Sequence, residues 1–345
     1  MVAFSASQRQ RIDELLRDSV DSKTTSALFY GVTDVNGPIY MNHVGHKLID
    51  DPASDRINED TVFWLCSQSK LVTSIATLQL IDQGKITRDT LAETILPELA
   101  NLLVGSLPGI PLRFDPGTDF AYGFSSDIAG FIVERVSGKT LEQYFKDHIF
   151  NPLGIASTTF YPTDQIKQAL LPLSYRTKKG EIERWNAPPV VDMDPANVKV
   201  FLGGVGLYST QKDYLAILRH LLQIKAGVAS EPILTLSTVE SLFQPTLCTK
   251  AADTINIQMP IFSRYLNAPV GCGQWSTGLL VNLEDVPGKR RKGSGAWGGW
   301  ASTTYFMDPA SGIAVLMGAQ LVPSGDDEYE KLFGILESEV YKAIS

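Results

Sequence analysis

Two stretches of the chain place an amine three residues after a serine hydroxyl: Ser67-Gln68-Ser69-Lys70 and Ser209-Thr210-Gln211-Lys212. Such a pair can perform nucleophilic acyl transfer. A free serine hydroxyl is a poor nucleophile, and an unprotonated amine or phenolate nearby can take its proton. The pattern is short enough to recur by chance, so context has to separate the two copies. Ser67 follows the apolar run Val62–Cys66 and opens a stripe beginning at Leu71, which predicts a hydroxyl in the first turn of a buried helix. Lys70 then projects from the same face. The helix start adds N–H groups that favour developing negative charge, and desolvation in a cleft lowers a lysine pKa towards usefulness. The competing reading is a helix-capping Ser67 with Lys70 in solvent. Ser209 has the better structural explanation. Thr210-Gln211-Lys212-Asp213 has the Ser/Thr-x-x-acid form of a helix start ahead of Tyr214.

Two glycine-rich segments could complete a site. Pro116–Ser125 offers Tyr122, whose phenol can project into a cleft from a loop before a helix; a packed aromatic is the alternative. Gly293–Trp300 holds four glycines in eight residues and leads straight into a strand. Glycines permit close backbone approach, and N–H groups on an edge strand there could hold an oxyanion. A tight turn between strands explains the same glycines. Cys66 adjoins Ser67 and could itself attack, but a packed apolar thiol fits its neighbours better. Cys66, Cys248 and Cys272 show no metal-ligand spacing, and their odd number speaks against a disulfide framework. His43, His46, His148 and His220 are scattered, and His43 and His46 lack an obvious third ligand.

These residues need elements to hold them. Apolar spacing predicts a helix over 5–20, and the runs Ala27–Asp34 and Pro38–Val44 around Val35-Asn36-Gly37 read as a hairpin. Helical stripes follow at Leu71, Ile75, Leu78 and Ile81; at Ile128, Phe131, Ile132 and Val136; and at Tyr214, Ile217, Leu218, Leu221 and Leu222. Long loops are expected at 107–117 and 177–195. Strands are expected at Ser276–Leu283, Ala301–Met307 and Gly312–Leu321, and a closing helix over 329–344. The economical arrangement is an α/β (α+β) fold: an antiparallel sheet built from both termini (1–61 and 270–345), flanked by helices. The inserted, mainly helical 62–269 carries the Ser67 helix and the Tyr122 loop. A cleft between the two parts is where sites tend to occur.

The 345 residues and 44% hydrophobic content suit one large folded unit or two packed subdomains. A net charge of −8 argues against nucleic acid as a partner, because phosphate neutralisation supplies that affinity. The one dense basic run, Lys289-Arg290-Arg291-Lys292, follows Pro287-Gly288 and reads as a solvated hairpin tip. The polar start and the lack of a long apolar stretch predict neither signal peptide nor membrane span, hence a cytoplasmic protein.

Taken in order, the motifs resemble the serine β-lactamase and penicillin-binding superfamily over nearly the whole chain. They are Ser67-x-x-Lys70, Tyr122 after Pro116-Gly117-Thr118, Gly203-Gly204-Val205-Gly206-Leu207-Tyr208-Ser209-Thr210, and Trp297-Gly298-Gly299. Supporting matches lie in Gly130–Gly138, Leu141–Tyr144, Asn151–Gly154 and Asp308-Pro309. The chain is most similar to class C-like (family VIII) carboxylesterases and fungal lovastatin-type acyltransferases. The resemblance implies Ser67 as acylated nucleophile, Lys70 as its proton partner, and Tyr122 as general base or proton shuttle. It also implies an oxyanion hole from the N–H groups of Ser67 and Trp300, and no metal or organic cofactor.

Three departures shape the expected substrate. Where family β-lactamases carry Tyr-x-Asn, this chain has Tyr122-Gly123-Phe124; where they carry Lys-Thr-Gly, it has Trp297-Gly298-Gly299. Losing the amide and the lysine removes contacts worth about 1.5–3 kcal/mol per charged hydrogen bond. A neutral ester or thioester therefore fits better than a β-lactam or peptide terminus. Relatives also carry a Leu-Leu-x-His-Thr-Ser-Gly segment that is missing between Leu91 and Asp115, so a pocket wall is absent or rebuilt, for instance by a partner subunit. The expected activity is hydrolysis of a carboxylic ester through a Ser67 acyl-enzyme. Transfer from an ester or thioester, including a carrier-protein-bound acyl donor, to a small alcohol uses the same residues. β-Lactamase or peptidase activity ranks third, and a non-catalytic binding protein is the alternative from another class. Phe124, Trp297 and Trp300 are candidate substrate-lining aromatics; core packing explains large aromatics equally well.

Overall fold

A computed structural model of the chain describes residues 3–99, 113–187, 191–192, 194, 196–258 and 271–344. The first helix, α1 (Ala6–Asp21), starts on Ser5, whose hydroxyl accepts the Gln8 N–H while the Gln8 side chain returns to the Ser5 N–H. Ile12 and Leu16 form its buried stripe. The hairpin β1 (Leu28–Asp34) and β2 (Pro38–Val44) turns where the Asp34 carboxylate accepts the N–H groups of Asn36 and Gly37. The C-terminal part supplies β5 (Gly273–Trp275), β6 (Leu280–Asn282), β7 (Gly295–Gly299), β8 (Thr303–Asp308) and β9 (Ile313–Gly318). Together they form a seven-stranded antiparallel sheet in the order β2-β1-β9-β8-β7-β6-β5. Sheet strands from both ends of the chain are thus joined at β1 and β9.

Helices cover both faces, as the period-2 alternation of β8 shows. Tyr305 meets Tyr214 of α4 (Gln211–Lys225), with ring centroids 5.3 Å apart. Its neighbour Phe306 points the other way, onto Phe333 of α5 (Asp327–Ile344) at 6.2 Å. Between sheet and helices runs α2 (Ser69–Asp82), in which Leu71, Val72, Ile75, Ala76, Leu78 and Leu80 are all buried. An apolar surface on nearly every side marks a helix in the molecular interior. Such a helix is a rigid mount for whatever side chain its first turn carries.

Several expectations are corrected. The glycine-rich 295–299 stretch is itself a strand, β7, paired to β8 from Gly295↔Met307 to Gly299↔Thr303. It is an inner strand at Gly295 and Ala296, where β6 pairs with it, and has no β6 partner from Trp297 onward. The anticipated strand Ser276–Leu283 is instead the turn and second arm of a hairpin, because the Ser276 hydroxyl accepts the N–H groups of Gly278 and Leu279. Leu321–Val322 leaves the β9 line and pairs in parallel with Ser174–Tyr175. The anticipated 177–195 loop contains a short strand, Ile182–Arg184. Helix α3 (Ser125–Ser137) buries Asp127, Gly130 and Val133, while Ile128, Phe131, Ile132 and Val136 are only partly covered. Part of the shortened 91–115 segment (100–112), and with it most of the 107–117 loop, lies outside the described residues.

The basic run at 289–292 is not wholly solvated. Arg290 is 0% exposed and its guanidinium forks onto Glu337 of α5, Nε to Oε1 at 2.8 Å and Nη2 to Oε2 at 3.0 Å. The Phe306 ring lies 4.1 Å beneath it. Replacing Glu337 by glutamine removes the carboxylate charge onto which this buried guanidinium forks. Glu337→Gln is therefore expected to destabilise the fold by about 3–5 kcal/mol. The denaturant midpoint in urea measures this; an unchanged midpoint contradicts it.

Among the described residues no helix is long and apolar enough to cross a membrane.

Candidate active site

Two short strands bring the site together. β3 (Val62–Trp64) pairs antiparallel with β4 (Tyr208–Thr210), and the Leu65 N–H continues the ladder to the Leu207 carbonyl at 2.9 Å. The Gln320 side chain clamps the end of β3, accepting the Trp64 N–H at 3.0 Å and donating to the Trp64 carbonyl at 3.1 Å. The chain then turns sharply. Cys66 adopts a left-handed backbone (φ 47°), and Cys66–Gln68 form a single 3₁₀ turn before α2 begins at Ser69. A left-handed non-glycine residue costs about 1–3 kcal/mol, and persists only where surrounding structure imposes it. Ser67 therefore stands just ahead of the α-helix rather than inside its first turn.

Two side chains converge on the Ser67 hydroxyl, Lys70 from three residues along the chain and Tyr122 from 55 positions away. Lys70 Nζ lies 3.0 Å from Ser67 Oγ, and the Tyr122 hydroxyl lies 2.9 Å from the same oxygen. Lys70 Nζ also donates to the Gly204 carbonyl at 2.9 Å, and sits 5.0 Å from the Tyr122 ring centroid. Tyr122 is 42% exposed, so its ring forms part of the cleft wall while its hydroxyl covers Ser67. Trp297 is 2% exposed and packs under Tyr122 with centroids 5.6 Å apart, braced in turn by Trp275 at 4.6 Å. It supports the phenol instead of lining open space. Phe124, by contrast, is 79% exposed on the lip of this loop.

The electrostatics separate the two proton-handling groups. Burial lowers the Lys70 pKa below the ordinary lysine value, against the opposing pull of Cys66 and Asp127. Burial raises the Tyr122 phenol to about 12, partly offset by side-chain hydrogen bonds to Ser67 and Trp297. Near neutral pH the phenol therefore keeps its proton, whereas the amine is shifted towards its neutral form.

The backbone of β7 also packs against the Ser67 turn. The Cys66 thiol, raised by burial, is drawn back by backbone hydrogen bonds from both Trp300 and Ser67. Gly299 permits this approach, since a Cβ there would collide with the Leu65 carbonyl oxygen and lie 2.6 Å from Thr303 Oγ1. The thiol itself is 5% exposed. Ser209, the second Ser-x-x-Lys serine, is fully buried beside Thr158, and Thr210 caps α4 through the Asp213 N–H.

Sequence reasoning missed the floor of the site. Asp127, on the buried line of α3, accepts the Gly204 N–H at 2.8 Å, and Thr73 of α2 donates to the Gly203 carbonyl at 2.7 Å. These bonds fix the Gly203-Gly204 backbone on which Lys70 rests. Gly203 has no room for a side chain: a Cβ would come within 2.8 Å of Thr73 Oγ1 and 2.9 Å of the Ser126 carbonyl. No sequence signal sets Asp127 apart, because the same helix also carries Glu134 and Arg135.

The chain belongs to the Beta-lactamase family, whose model matches residues 12–102 and 100–337. Among curated proteins it is 26% identical to the lovastatin esterase of Penicillium rubens over 400 residues, covering 97% of this chain and 98% of that protein. It is 29% identical to the monacolin J acid methylbutanoyltransferase of Aspergillus terreus over 283 residues, covering 79% of this chain and 66% of that one. Among solved structures, unliganded simvastatin synthase from Aspergillus terreus superposes with a TM-score of 0.84 at 23% identity, covering 98% of each chain. The hydrolase with promiscuous acyltransferase activity EstCE1 gives 0.77 at 19% identity, also covering 98% of each. At such identities these structures establish the β-lactamase/transpeptidase-like fold.

Proposed function

We propose that this chain hydrolyses a small-molecule carboxylic ester through an acyl-enzyme on Ser67. One observation carries the reading: Ser67 Oγ is within 3.0 Å of Lys70 Nζ and 2.9 Å of the Tyr122 hydroxyl. Neutral Lys70 donates one hydrogen to the Gly204 carbonyl and turns its lone pair to Ser67. As Ser67 Oγ bonds to the ester carbonyl carbon, its proton passes to Lys70. The carbonyl oxygen becomes an oxyanion, held by the N–H groups of Ser67 and Trp300. The neutral Tyr122 phenol then protonates the departing alkoxide and recovers a proton from Lys70. Water repeats the cycle on the acyl-enzyme, releasing acid and Ser67. This sequence assigns the base to Lys70 and the shuttle to Tyr122, in keeping with their opposite pKa shifts.

A second reading, acyl transfer to a small alcohol, uses the same steps with the alcohol in place of water. The exposed apolar lip at Phe124 favours it, because it can hold an organic acceptor over Tyr122. A thioester on a carrier protein is a suitable donor under that reading. Three free thiols, Cys66, Cys248 and Cys272, fit the reducing cytoplasm in which such donors occur. Incubation with an activated ester, with and without small alcohols, separates the two readings. Mainly free acid supports hydrolysis, and mainly exchanged ester supports transfer. Turnover of neither kind overturns both.

Asp127 is a positioning residue in this scheme. Lys70 faces Ser67, Cys66, Tyr122 and Asp127, and Asp127 is the acid among them. Its charge raises the Lys70 pKa, so removing it lets Lys70 lose its proton more readily. Asp127→Asn keeps an acceptor for the Gly204 N–H and removes only the charge. The acidic limb of the kcat/KM profile is expected to move to lower pH in this variant, while an unmoved limb breaks the link to Lys70.

A further inference from the structure

Behind the Ser67 turn lies an apolar cavity of about 340 Å³ that the mechanism above does not use. Its walls include Trp64 on β3, Tyr208 on β4, Leu170, Leu173 and Trp185, with Lys167 at an exposed rim. The volume lies at the lower end of the range for small-molecule pockets, roughly 300–1,000 Å³, and the lining is mainly aromatic and aliphatic.

Three features tie this space to the reacting centre. Trp64 leads directly into the Cys66–Gln68 turn, and its indole N–H is fixed to the Val205 carbonyl at 2.7 Å, one residue from the carbonyl that holds Lys70. Trp300, whose N–H is the second oxyanion donor proposed above, packs on two wall residues of the cavity. Its ring meets Trp64 and Trp185 edge-on, with centroids 6.2 Å away in each case. Trp185 also carries a buried indole N–H with no hydrogen-bond partner among the described residues. An unpaired donor among apolar walls is costly, and a ligand oxygen would satisfy it.

We propose that this cavity seats the apolar acyl tail of the substrate, a saturated chain of medium length. The inference rests on the Ser67 acyl-enzyme reading. Tyr122, the proton donor to the leaving group, packs on Trp297, whereas the cavity lies past Trp300. The alkoxide must face Tyr122, so the tail is the substituent left to turn past Trp300. Trp64 and Tyr208 hold the cavity open because their backbones are paired to each other, and Gln320 clamps Trp64.

The test compares p-nitrophenyl acetate with p-nitrophenyl octanoate. The wild type is expected to prefer octanoate in kcat/KM. Leu173→Trp fills the cavity and is expected to lower the octanoate value about tenfold or more, with acetate changed less than about twofold. Trp185→Ala enlarges the cavity and moves the optimum to longer chains, which carries the test should Leu173→Trp fail to fold. Equal effects of Trp185→Ala on both esters overturn the cavity assignment while acetate turnover leaves the Ser67 reading intact. Absence of any acyl-enzyme in the wild type overturns the Ser67 reading itself.

Discussion

Ser67→Ala is expected to lower kcat/KM for an activated ester by roughly four to six powers of ten, leaving the thermal midpoint near that of the parent. The size follows from the nature of the loss. Without Oγ there is no covalent intermediate, and Lys70 and Tyr122 have no shared proton to move. What remains is the binding of the ester and the oxyanion donors proposed at the N–H groups of 67 and 300, which together sustain only a background rate over water. The fold should tolerate the change, because Ser67 is half-buried and its hydroxyl bonds to neighbours within the site itself, Lys70, Tyr122 and Cys66. Loss of activity with loss of folding would point to the strained turn at Cys66 instead. Retained activity would move the protein to a binding role or to a different nucleophile.

Tyr122→Phe should reduce kcat by about 10²–10⁴, the usual span for removing a positioned proton donor. Its ring should stay in place, since the ring contact with Trp297 survives loss of the hydroxyl although the hydrogen bond to Trp297 does not. The pH profile then discriminates between the two roles open to this residue. With the phenol held at about 12, a phenolate base would make the wild-type rate climb well into alkaline solution. With Lys70 as base, activity depends on the neutral amine. It is lost as pH falls through the lowered lysine pKa and reaches a plateau above it. The acidic limb should therefore persist in Tyr122→Phe at a reduced height. Disappearance of that limb in the variant would assign it to Tyr122.

Much of this site is legible in the sequence because its parts are local. Ser67 and Lys70 lie one helical turn apart, next to an apolar stripe, and Tyr122 sits where a helix start leaves a loop facing outward. The hairpin at 28–44 and the helices starting at Ala6, Ser69 and Gln211 follow from periodicity and caps. The misses share a different cause. Gly295–Gly299 forms a strand although glycine disfavours one, and its end glycines are required by close packing, Gly295 against Leu279 and Gly299 against Leu65. Arg290 in a turn reads as solvated until Glu337, 47 positions later, is placed opposite. Asp127 looks like a surface residue until Gly204 arrives from the next segment. Each depends on a partner far along the chain, which composition and spacing do not specify.

Intact-mass spectrometry of the protein after exposure to a fluorophosphonate, followed by peptide mapping, tests the central claim most directly. A single adduct on Ser67, abolished in Ser67→Ala and formed much more slowly in Lys70→Ala, is the predicted result. A stable, folded protein that takes no adduct, or takes it at Cys66 or Ser209 with Ser67 unmodified, would contradict it.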